Sequence, residues 1–217
     1  MVEFTLWDMV RNLLLAARWT ILLSLIAFVG GGIAGTFVAL ARTSRSGAAR
    51  RLAAVFVEVF QGVPLLVLLF LAYFGLPLVG VDTSALTAAA LALTLYAGAY
   101  LGETWRGCIE AVPHGQTEAS ESLGLSRGEA LLHVVLPQAL KVAVAPTVGF
   151  LVQIVKGTAL ASVIGFVEVT KAGGMISNAT LRPLTVYGLV GAAYFLLCYP
   201  ISLAARALER RLDGPGR

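Results

Sequence analysis

Lys156 stands inside a long apolar run, with Gln153 one turn before it and Thr158 just after. An ionisable group within a membrane segment is costly and usually faces an interior cavity. A lysine flanked by an amide and a hydroxyl could hold a solute carboxylate. It could equally pair with a glutamate of a neighbouring helix or snorkel to an interface. Glu103 is spaced to pair with Arg106 at i,i+3, a structural role, with a gate or amine-binding role as the alternative. Gln61 either lines a pathway or bonds a partner helix. Glu58 and Glu168 are two further carboxylates beside apolar runs, and spacing assigns Glu168 no role.

Other chemistries find little support. His114 and His133 are the only histidines, and no nucleophile or metal-ligating cluster surrounds them. Cys108 and Cys198 lie in separate apolar stretches without metal-ligand spacing. The chain has no Gly-x-x-x-x-Gly-Lys-Ser/Thr phosphate loop. It reads as a non-enzyme that carries no cofactor of its own.

The elements that must position these residues are membrane helices. Of 217 residues, 58% are hydrophobic and 13% charged, and mean hydropathy is +0.86. Soluble domains carry about 25% charged residues, so lipid is the better solvent. Five stretches reach the length of a bilayer crossing, at 19–41, 52–76, 84–105, 142–165 and 184–206. The fold class is therefore all-α, a polytopic membrane protein with one transmembrane domain over 1–217. The net charge of +4 gathers at span ends, which argues for membrane flanks rather than nucleic acid. The acidic start at Glu3 and Asp8 is unlike a signal peptide. Arg42, Arg45, Arg50 and Arg51 crowd the first loop, and Arg206, Arg210 and Arg211 the C-terminal end. Positive-inside then puts the N-terminus outside and the C-terminus in the cytoplasm, with the long 106–141 loop. Gly31-xxx-Gly35 and Gly98-xxx-Gly102 place small residues on one helical face, for close packing. Pro64, Pro146 and Pro200 should kink or interrupt their spans.

The long loop contains Gln116-Thr117-Glu118-Ala119-Ser120-Glu121-Ser122-Leu123-Gly124-Leu125-Ser126, then Val134-Val135-Leu136-Pro137. Glu118 to Leu123 is a short helix-forming run, with Gly124 as its stop. Pro137 is expected to end a second helical stretch. Leu123, Leu125, Ala130, Leu131 and Val134 form an apolar side. That side either docks into a soluble partner or packs on the chain's own spans.

Glu118-Ala119-x-x-x-x-Gly124, followed by Val134-x-Leu136-Pro137, resembles the "EAA" loop of membrane subunits of ATP-binding-cassette importers. Ser120 and Val134 depart mildly from that pattern. Phe56 to Leu66, Ala99 to Gly107, Val112 to Gln116, Leu136 to Ala139 and Lys156 to Leu160 are similar to segments of the polar amino acid permeases. The resemblance covers roughly 20–212. It implies a type I importer permease in the bacterial cytoplasmic (inner) membrane. Its partners would be an ATPase subunit that binds ATP and Mg, an extracytoplasmic substrate-binding protein, and a second permease subunit, identical or paralogous. Glu118, Ala119, Gly124, Leu136 and Pro137 would couple to the ATPase. Lys156, Thr158, Gln153, Gln61 and Glu103 would line the substrate pathway for a polar amino acid or related solute. Three positions depart from the family: Gln61 for Arg, Gly149 for Asn, and Gly157 for the Asp of Lys-Asp-Thr-Ser-Leu. An ion-coupled secondary transporter is the rival mechanism, though no internal repeat is evident.

Overall fold

A computed structural model describes residues 5–212, so Glu3 falls outside the described part. These residues form eight helical elements and no strand. Helix α1, Leu6–Thr43, is opened by a capping box in which Thr5 and Asp8 bond each other's backbone N–H. Helix α2 is Gly47–Gly62 and α3 is Leu65–Leu78. Helix α4 is Ala85–Glu110, and α5, His114–Ser122, lies in the long loop. Helix α6 runs from Arg127 to Ser162. Helix α7 is Val169–Thr180 and α8 is Pro183–Leu212.

Four of these helices, α1, α4, α6 and α8, are each long and apolar enough to cross a membrane. The expected second span, 52–76, is not one straight helix. It is the pair α2–α3, bent by 101°. The bend falls at Pro64, whose ring disfavours helical geometry at the preceding residue. Val63 accordingly sits at φ −101°, ψ 131°. Counting the bent pair as one span gives five.

The other prolines behave differently. Pro146 and Pro200 lie inside continuous helix. Pro137 does not end a helical stretch, contrary to the expectation from sequence. The chain passes through it because the turn before it, Leu131–Val135, widens to π geometry. Leu136 N–H reaches back to the Leu131 carbonyl, so the missing Pro137 donor is absorbed without a break. A second π turn, Leu71–Gly75, precedes Pro77 in the same way.

Two apolar clusters hold the helices. Leu23, Leu69, Leu93 and Ile154 join α1, α3, α4 and α6, all at 1% exposure or less. Met9, Leu13, Val169 and Val186 join the other end of α1 to α7 and α8. Among the described residues, α1 and α4 make the most extensive helix pairing. A Cβ on Gly31 would lie 2.3 Å from the Ala97 Cβ, and one on Gly35 would lie 3.0 Å from the Gly102 nitrogen. Both small-residue pairs therefore face each other, and backbone meets backbone as such pairs allow.

Candidate functional site

Helix α5 begins directly after Pro113, four residues earlier than the Glu118 start expected from sequence. It ends in a Schellman motif. The Gly124 N–H donates to the Glu121 carbonyl at 3.0 Å, and the Leu125 N–H donates to the Ser120 carbonyl at 3.1 Å. Gly124 has φ +83°, a conformation that costs any side-chain-bearing residue. Ser126 and Glu129 then form a capping box that starts α6 at once. Arg127 pairs with Glu121 at 2.9 Å across the turn, and Gln138 reaches Gln116 at 3.4 Å.

The apolar side of this loop divides between its two possible uses. Ala130 is fully buried, and Leu125, Leu131 and Val134 are half-buried against the chain itself. Leu123 is 83% exposed at the tip of α5. Glu118, Ala119, Gly124 and Pro137 are exposed with it, whereas Leu136 is half-buried. The helix thus stands on a packed base and presents a free outer surface.

The residues tied to a pathway do not converge on one point. Lys156 and Gln153 both stand on the open side of α6. Among the described residues, Lys156 makes no ion pair, so the glutamate partner allowed by the sequence is not the arrangement seen. Thr158 is turned the other way. It is fully buried, and its hydroxyl donates to the Val155 carbonyl at 2.7 Å. Gly157 also faces inward, where a Cβ would lie 3.1 Å from Leu65 Cδ2 and 3.5 Å from Leu93 Cδ2.

Gln61 attaches to α4, and Glu103 stands on that helix. Gln61 donates to the Ala99 carbonyl at 3.3 Å. Glu103 accepts from Arg106 at 2.5 Å and lies 3.5 Å from Arg42 of α1. Arg106 also pairs with Glu110. Tyr96 and Tyr100 stack on Phe150 of α6, with centroids 6.3 and 5.6 Å apart. The indole N–H of Trp105 donates to Thr147 at 2.7 Å. These contacts fix α6 against α4 and thereby set the height of Lys156.

One cluster escaped the sequence. Glu168 is fully buried, and its carboxylate is a junction of three helices. It caps α7 by accepting the Lys171 N–H at 2.9 Å. The Tyr194 hydroxyl of α8 donates to it at 2.5 Å, and the Thr20 hydroxyl of α1 at 3.5 Å. Thr20 in turn accepts the Val169 N–H, and Thr170 bonds Tyr194. The available signal was a carboxylate just ahead of a helix start, since acceptors there satisfy free N–H groups. Its partners on α1 and α8 are too far away in sequence for spacing to reveal.

The profile of the family described as "Binding-protein-dependent transport system inner membrane component" matches residues 27–214. The probable amino-acid ABC transporter permease protein YckA of Bacillus subtilis is 31% identical, over 97% of this chain and 98% of its own length. The glutamine transport system permease protein GlnP of Escherichia coli is 33% identical, over 95% of both. The solved structure of an amino acid ABC transporter with histidines superposes at a TM-score of 0.89, with 32% identity over 97% of this chain and all of that one. An inward-facing MetNI methionine transporter shares the fold at a TM-score of 0.75 and 24% identity, with 98% of this chain and 99% of that one covered. The chain belongs to the binding-protein-dependent inner membrane component family, as a multi-pass permease subunit of an ATP-driven importer.

Proposed function

We propose that this chain forms, as a single permease domain, one half of the translocation pathway for a polar amino acid or related solute. A second permease subunit, identical or paralogous, supplies the other half. A substrate-binding protein delivers solute from outside. The N-terminus faces that side, and the C-terminus and the 106–141 loop face the cytoplasm. An ATPase subunit, which holds the ATP and Mg, docks on α5. Closure of that ATPase pulls α5, and the packed base at Ala130 passes the pull into α6, which carries Lys156.

The observation that carries this reading is the build of α5: a short helix with a free outer face, locked at its end by a positive-φ glycine. A surface held at fixed angle over a span is what a mechanical link needs. The similarity to amino acid permeases supports the solute class. An exposed Lys156 beside Gln153 is chemically suited to a carboxylate.

Two variants test it. Gly124→Arg should insert in the membrane normally yet fail to co-purify the ATPase subunit. Undiminished co-purification would remove α5 from the coupling role. Lys156→Ala should leave the assembly intact while lowering solute-stimulated ATP hydrolysis by about tenfold or more, the scale of one charge-assisted contact. Unchanged stimulation across acidic, basic and amide amino acids would take Lys156 out of the pathway.

A further inference from the structure

Helix α2 does not stand upright in the membrane. Its axis is bent 101° from that of α3. Helix α3 is about 21 Å long at about 1.5 Å per residue. It must stand close to the membrane normal to help cross a hydrocarbon layer of about 30 Å. That leaves α2 close to the membrane plane. Its two ends agree on the level. At the start, the Arg50 guanidinium donates to the Ser44 and Arg45 carbonyls at 2.9 and 3.3 Å, just past the end of α1. At the far end, Gln61 donates to the Ala99 carbonyl. Ala99 is one turn of α4, about 6 Å, inside Glu103, and Glu103 pairs with Arg42 at the end of α1. Both ends therefore lie near the headgroup layer that the arginine-rich stretch marks.

At about 3.6 residues per turn, α2 divides into three sides. Ala53 and Val57 are buried and Phe60 is half-buried on the side that packs against the bundle. Leu52, Val55 and Val59, spaced i, i+3, i+7, form a second side that is 73%, 56% and 48% exposed. Arg50 and Glu58 fall on the third. Arg51 stands on the border between this polar side and the exposed apolar one, a turn before Val55. Such a helix, lying in the membrane plane, is built to sink its apolar side about 5–10 Å into the acyl boundary. Among the described residues, Arg45 and Arg51 are exposed and make no ion pair. Glu58, the one carboxylate on α2, lies two turns from Arg51 and makes none either. Two unpaired guanidiniums at headgroup level, above a submerged apolar side, are complementary to a lipid of net negative charge. A second copy packed on this side about a two-fold axis would set arginine against arginine, which like-charge repulsion opposes.

We propose that the α1–α2 turn and the exposed apolar side of α2 bind an anionic phospholipid, its phosphate on Arg45 and Arg51 and the start of its acyl chains against Leu52, Val55 and Val59. The orientation proposed above puts that lipid in the cytoplasmic leaflet, while the binding itself does not depend on the orientation. The bound lipid holds α2, and Gln61 at its far end, at a fixed depth beside α4.

Native mass spectrometry of the full chain in detergent, titrated with phosphatidylglycerol and with phosphatidylcholine, tests the site. The wild type should hold phosphatidylglycerol preferentially, and excess inorganic phosphate should not displace it. Arg45→Gln with Arg51→Gln should weaken phosphatidylglycerol by about tenfold or more, the loss of charge-assisted contacts, and abolish the preference. Arg45→Lys with Arg51→Lys should keep most of it. Leu52→Gln with Val55→Gln, both at exposed positions, should weaken both lipids with the arginines intact. Arg210→Gln with Arg211→Gln should leave the preference unchanged, because Arg210 already folds back on the Arg206 carbonyl. An intact preference without Arg45 and Arg51, or an equal loss without Arg210 and Arg211, would overturn the proposal, as would displacement by inorganic phosphate. So would a disulfide between two copies of Val55→Cys in lipid, because a second subunit would then cover this side.

Discussion

The carboxylate of Glu168 shows how much a single buried group can organise. It collects one backbone N–H and two hydroxyls from three helices. Glu168→Ala would leave the Lys171 N–H without its acceptor and the Tyr194 hydroxyl with only Thr170 to bond. We expect a loss of about 1–3 kcal/mol, from the orphaned donor and the lost Tyr194 contact. Glu168→Gln keeps an acceptor at one oxygen and should cost clearly less. Thermal unfolding in detergent, read by tryptophan fluorescence, separates the two. Equal melting temperatures for wild type and Glu168→Ala would show that the junction contributes nothing. At this scale the sequence was partly legible. The Glu103–Arg106 pair follows from i,i+3 spacing, and Gly124 from its place after a helical run. The Arg42–Glu103 contact and the Glu168 junction join residues of different helices, so periodicity along one helix carries no trace of them. Thr158 shows the converse limit. Proximity to Lys156 in sequence grouped it with the pathway, yet two residues of helical rotation turn it into the core.

Among the elements, α1 and α4 make the most revealing pair. Gly31→Ala must push its new methyl against Ala97, at an unrelaxed Cβ separation of 2.3 Å. Overpacking of that kind typically costs about 1–3 kcal/mol, so a lowered melting temperature is expected. Gly32→Ala is the control one residue away. Its Cβ would meet only Trp105, at 3.8 Å, and stability should hold or rise slightly. If the two variants melted alike, close backbone approach would not be what binds α1 to α4. The glycine spacing announced this contact, because Gly-xxx-Gly leaves a groove that only another backbone fills. Span ends were less legible. Helix α1 starts at Leu6, well before residue 19, because Arg11 and Arg18 dilute the apolar run without breaking the helix. The α2–α3 break and the unbroken passage at Pro137 both involve proline inside an apolar stretch. A π turn precedes Pro137 and none precedes Pro64, yet Pro146 and Pro200 pass in continuous helix without one, so the outcome at each proline is set by local backbone geometry and packing, which composition does not encode.

For the whole molecule, the proposed orientation rests on the arginine-rich 42–51 stretch and the basic end of α8. Cysteines placed at Ser46 and Ser126 should react with a membrane-impermeant maleimide only after the cytoplasmic face is opened, and one at Asp82 should react from outside. Labelling of Ser126→Cys in intact cells would invert the topology and remove α5 from reach of any ATPase. Fold class and membrane character were legible at this scale because they rest on sums over many residues, which survive local exceptions. The burial of each proposed pathway residue was not, since it depends on which side of its helix the residue faces. That dependence bears on substitution at Gly157 as well. The resemblance to polar amino acid permeases sets Asp where this chain has Gly157, and a Cβ there would lie 3.1 Å from Leu65 Cδ2 and 3.5 Å from Leu93 Cδ2. An acid introduced at 157 would ask the Leu65 methyl to give way by a few tenths of an ångström and would set a carboxylate among leucine methyls, a cost that a smaller residue at position 65 should lower. The two positions are therefore expected to be coupled across separate helices, so that Gly157→Asp combined with Leu65→Ala costs less than the two changes summed.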